Sequence, residues 1–74
     1  MVQTIVKIDG MACGMCEAHI NNAVRNAFRT KKVSSSHHKG ECIIVSENQI
    51  DVEKLNDVIS SLGYTLLAVK EENR

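Results

Sequence analysis

Two stripes of helical period alternate with four short strand-like runs in this 74-residue chain, and that order leaves few folds open. Residues 17–28 place Ile20, Ala23, Val24, Ala27 and Phe28 on one helical face, with Asn21, Asn22, Arg25, Asn26 and Arg29 turned to water. A second stripe runs through Val52, Leu55, Val58, Ile59 and Leu62, between Asp51 as a cap and Gly63 as a left-handed stop. Residues 4–8 alternate, with Thr4, Val6 and Ile8 on one face of a first strand. Residues 32–37 are rich in serine with Val33 as the apolar anchor, the pattern of a weak edge strand, and Lys39-Gly40 supplies a turn. Residues 42–45 are apolar and β-branched, as a central strand requires, and residues 65–69 form the last strand. The order βαββαβ predicts one domain over residues 1–74, an α+β two-layer sandwich with a four-stranded antiparallel sheet in the order 4-1-3-2. Residues 71–74 are expected to fray. In that tracing the segment before the first helix, the Lys39-Gly40 hairpin and the Gly63-Tyr64 junction share one end of the molecule.

A chain near this length buries only about 60% of the surface its unfolded form exposes, so stability is expected to be modest. No run of 18 apolar residues occurs, and no basic segment followed by an apolar one opens the chain, so neither a membrane span nor a secretory leader is expected. Three cysteines, two of them in a CxxC, do not make the even framework of a small secreted domain, and a reducing cytoplasm fits. Nine basic and nine acidic residues cancel, which argues against a nucleic-acid binder that works by neutralising phosphates. Their distribution is uneven. Between Ala18 and Gly40 there are five basic residues, Arg25, Arg29, Lys31, Lys32 and Lys39, and no acid, whereas the rest of the chain to Arg74 is acidic. That segment is either a solvated face or a surface that steers an acidic partner.

The chemistry is concentrated in Gly10-Met11-Ala12-Cys13-Gly14-Met15-Cys16, between the first strand and the first helix. A thiolate at a helix start is stabilised by unpaired N–H groups and by the positive end of the helix dipole, so its pKa falls and it becomes a ligand near neutral pH. Two such thiolates, Cys13 and Cys16, can oppose each other across one soft d¹⁰ ion, and low coordination suits Cu(I) or Hg(II). A site of two protein sulfurs also leaves the ion open to a partner's thiolate, which favours delivery by ligand exchange over storage. Other uses of CxxC fit less well. The chain has no Trp and no Pro, against a thioredoxin-like dithiol oxidoreductase; Glu17 stands where a c-type haem site needs His; and no second CxxC completes a zinc ribbon.

The segment from Gly10 to Cys16 resembles the GMxCxxC signature of the heavy-metal-associated domain family, and Gly63-Tyr64 resembles that family's later Gly-Tyr signature. The resemblance covers nearly the whole chain and implies a ferredoxin-like fold. It implies a non-enzymatic carrier of a soft metal, foremost Cu(I), with Zn(II) or Hg(II) as other cargo, held by Cys13 and Cys16. It further implies delivery to a metal-transporting P-type ATPase or a copper-responsive regulator, by a chain that is monomeric without metal and able to form a metal-bridged dimer. A detached domain of a transporting ATPase is the alternative within the family. By the same resemblance Met11 packs in the core beneath the loop, and Tyr64 stands where an aromatic covers the site in bacterial-type chaperones, with plain packing as its other reading. Ala12 departs from the Thr or Ser frequent at its position.

Five other residues have two readings each. Met15 is expected to be exposed, shielding the metal or touching a partner. His19 follows Cys16 by three residues and is either a surface residue or a group that tunes the site. Cys42 reads as a small hydrophobe, with a thiol near the metal end as the other reading. His37 and His38 read as a solvated hairpin tip, too far across the sheet for Cu(I), with recruitment by Zn(II) as the alternative.

Overall fold

Alternation along the first strand, β1 (Val2–Asp9), turns Val2, Thr4, Val6 and Ile8 inward, and all four are buried. A computed structural model describes residues 1–12 and 14–73; Cys13 and Arg74 lie outside the described residues. The other elements are α1 (Gly14–Ala27), β2 (Lys32–Ser36), β3 (Glu41–Ser46), α2 (Val52–Ser61) and β4 (Thr65–Asn73), which is the predicted βαββαβ order. The sheet is antiparallel throughout and runs β2-β3-β1-β4, the expected sequence read from the other edge.

Both helices lie on one face of the sheet, and the core is the layer between. Ile20 and Val24 of α1 and Leu55 and Ile59 of α2 are fully buried there against Val6, Cys42 and Ile44. The sequence placed too much of α2 inside: Val52 and Leu62 are exposed, because a ten-residue helix over a small sheet covers it with little more than one row of side chains. Ile50, which the helical pattern passed over, is buried just before the cap. Asp51 caps α2 as expected, its carboxylate accepting from the N–H groups of Glu53 (3.0 Å) and Lys54 (3.3 Å). Gly63 takes φ +91° just past the helix, and its N–H donates to the Ser60 carbonyl at 3.0 Å.

Two further expectations change. Residues 71–73 do not fray: Glu71, Glu72 and Asn73 pair with Thr4, Gln3 and Val2, because β1 begins early enough to give the tail a partner. The register slips between Lys7 and Ile8, which opposes Leu66 and Ala68 to successive β1 residues and leaves Leu67, between them, exposed. Asn21, expected to face water, is half-buried and accepts a 2.6 Å hydrogen bond from Ser35 Oγ, because α1 lies directly over β2.

Candidate metal centre

The loop between β1 and α1 carries the thiol motif, and its shape depends on one glycine. Gly10 has φ +102°, where a side chain is strained, and a Cβ there would stand 3.3 Å from Cδ1 of Tyr64. The tyrosine ring therefore lies against the start of the loop. At the same end the Ile8 N–H donates to the Gly40 carbonyl at 2.8 Å, which ties the β2–β3 turn to the end of β1. Gly10, Gly40 and Tyr64 thus gather where the tracing of the sequence put them.

Of the two predicted ligands, Cys13 lies outside the described residues. Cys16 is the third residue of α1 and is half-buried, packed against the core from the first helical turn. The backbone N–H groups of that turn lack intrahelical acceptors, which favours negative charge on its sulfur. Met11 is 8% exposed and belongs to the core cluster, and Met15 is 70% exposed, both as read from the sequence. Tyr64 is half-buried, touching the loop on one side and the core on the other.

The histidines depart from expectation in one respect. His37 is not at a solvated tip: its N–H donates to Glu17 Oε2 at 2.8 Å, and its ring Nδ1 lies 2.6 Å from the same oxygen. The hairpin folds toward the first turn of α1, since the helix runs above β2 and β3 and the separation is not set by strand spacing in the sheet plane alone. The His38 ring stands 4.1 Å from that of His37, centroid to centroid. Glu17 adjoins Cys16, and the backbone N–H of His37, then its ring, hold the carboxyl below its ordinary value of 4.5, with partial burial opposing. His19 is exposed on α1. Among the described residues no three His, Cys, Asp or Glu side chains converge on a point that suits a metal ion. Cys42 is 1% exposed and pairs across the sheet with Val6; burial pushes its thiol up, partly offset by a hydrogen bond with Ser35, so it is packing and not a nucleophile. The Glu17–His37 contact is the feature the sequence reading missed.

No family model matches the chain. Known relatives nevertheless share its span. A mercuric reductase of Staphylococcus aureus is 40% identical over 60 residues, which are 80% of this chain and 10% of that enzyme. A copper chaperone CopZ of Staphylococcus aureus is 24% identical over 68 residues, 90% of this chain and 100% of that protein. The N-terminal domain of ZntA in its Zn(II) form superposes with a TM-score of 0.79 at 23% identity, covering 89% of each chain. By sequence and by fold, the chain resembles the heavy-metal-associated domains. It also resembles a copper chaperone. It spans only about a tenth of the length of the mercuric reductases it matches. It has the ferredoxin-like βαββαβ fold that the signature implied. Among the described residues no helix is long and apolar enough to cross a membrane.

Proposed function

We propose that the chain is a soft-metal carrier in which the Cys13 and Cys16 thiolates hold one d¹⁰ ion, Cu(I) foremost, and release it to a partner's thiolate. The observation that carries the reading is the place of Cys16, half-buried in the first turn of α1 at the end where the Gly10 loop, the β2–β3 turn and Tyr64 meet. Two thiolates suit an ion of low coordination number and leave it open, so transfer proceeds by successive exchange: a partner's sulfur enters to give a three-sulfur intermediate, one of the two cysteines leaves, and a second partner sulfur displaces the other. Only metal–sulfur bonds are made and broken in this exchange, and the domain acts as carrier and not as enzyme. A metal-transporting P-type ATPase or a copper-responsive regulator is the receiver we infer, in a reducing cytoplasm where the thiols persist.

Hg(II) is the second reading, and the 40% identity to a segment of a mercuric reductase supports it. Zn(II) wants four ligands, and a second copy of the chain would have to complete the shell. Competition titration against a chromophoric Cu(I) chelator, and against thiol-competed Hg(II), tests the proposal. One ion per chain is expected, lost in both Cys13→Ser and Cys16→Ser; undiminished binding in the double variant would overturn it. Binding is expected to weaken as pH falls, because each ligand must shed a proton.

A further inference from the structure

The basic stretch between Ala18 and Gly40 does not form one face. Lys39 stands in the β2–β3 turn, and Lys32 lies on the open side of the sheet with Gln3, Ile43 and Val45. Arg25, Arg29 and Lys31 instead line a single open cleft of about 640 Å³ together with Phe28, Thr30, Glu47 and Asn48. Arg25 is nine residues along α1 from Cys16, roughly 14 Å of helix, so this cleft lies toward the other end of the helix from the thiol motif. We propose that the cleft docks an acidic segment of a partner protein.

Charge is the first argument. Glu47 is the one acid lining the cleft and is occupied by Lys31 at 3.3 Å, while among the described residues Arg25 and Arg29 make no ion pair. Lys54 adds a further cation from α2, its Nζ lying 5.3 Å from the centroid of the Phe28 ring. The helix dipole accounts for Arg25 in the last turn of α1, but not for Arg29 and Lys31, which lie beyond the helix and meet at the same cleft. Shape is the second. The volume is that of a ligand site, yet both arginines are exposed, and a single carboxylate paired at such a surface gains little. A chain offering several carboxylates gains more, because each contact after the first is intramolecular, and guanidinium forks take carboxylates in pairs of hydrogen bonds. Phe28 gives an apolar side chain of the same segment somewhere to rest. A domain held this way keeps its thiol end free to exchange metal while a partner is engaged, so the docking goes beyond the metal reading and stands or falls without it.

The test is a ¹⁵N–¹H NMR titration of the whole chain with a short synthetic peptide alternating glutamate and alanine, beside its glutamine counterpart and inorganic phosphate. Saturable shifts are expected at Arg25, Phe28, Arg29, Lys31 and Asn48, from the glutamate peptide alone, weakening as salt rises. The double change R25E/R29E is expected to abolish them, and R25Q/R29Q to weaken binding about tenfold; both sites are exposed, so thermal melting should show both variants folded. Equal shifts from the glutamine peptide, saturation by phosphate at the same concentration, shifts centred on residues 10–16, or undiminished binding in R25E/R29E would each overturn the proposal.

Discussion

Replacing Met11 with alanine is expected to cost about 2–5 kcal/mol of stability, because its side chain fills the layer under the thiol loop and the space left behind closes only in part. Metal affinity should fall far less, since the thioether is turned into the core. Thermal melting beside a chelator competition separates the two, and an unchanged melting temperature with lost metal would reverse the assignment. Met11 and Met15 were legible from the sequence because a motif fixes their places relative to the strand end and the helix start. Glu17 was not legible, because its partner His37 is twenty residues away and is brought to it only by the packing of α1 over the hairpin. That contact has a pH signature. The Glu17 carboxyl lies below 4.5 in the folded chain, so the unfolded chain binds more protons in the window between the two values. The stability it contributes is whole above the unfolded value and is lost as pH falls through the folded one. Denaturant unfolding of the metal-free chain should therefore show Glu17→Gln less stable than the parent near neutrality, with the difference vanishing in acid; a pH-independent difference would contradict the bond.

At the scale of elements, the turns carry more information than the helices. Gly40 has φ +64° and a Cβ there would stand 3.1 Å from the Ile8 carbonyl oxygen, so Gly40→Ala is expected to destabilise by roughly 1 kcal/mol or more. Gly14 opens α1 with nothing within 4 Å of an added Cβ, and Gly14→Ala should be neutral or stabilising by about 0.5–1 kcal/mol. Equal effects on melting temperature would show that backbone conformation is not what separates them. The sequence yielded element order and the buried rows Thr4-Val6-Ile8 and Ile20-Val24, because period decides those, and sheet order, because the βαββαβ motif does. It lost the ends: Glu71 and Glu72 look like a solvated tail and are ladder residues, since hydrogen bonding to β1 is indifferent to their charge. It also overcounted α2, because a hydrophobic stripe reports which side faces the core and not how far the core extends beneath it.

For the whole molecule, one layer of core joins two ends with different chemistry. At one end the Gly10 loop, the Gly40 turn and Tyr64 surround the start of α1; toward the other, Arg25, Arg29 and Lys31 gather around Phe28. Which residues share an end followed from strand order, so the thiol end could be traced from the sequence, whereas the cleft needed side-chain directions that no period supplies. Cys13 and Cys16 are proposed to make a two-sulfur site with no help from His19, His37 or His38. X-ray absorption at the copper edge of the chain loaded with one Cu(I) tests it most directly. Coordination by two sulfurs alone is predicted, unchanged when His37 and His38 are both replaced by alanine; imidazole scattering in the parent that disappears in that variant would contradict it.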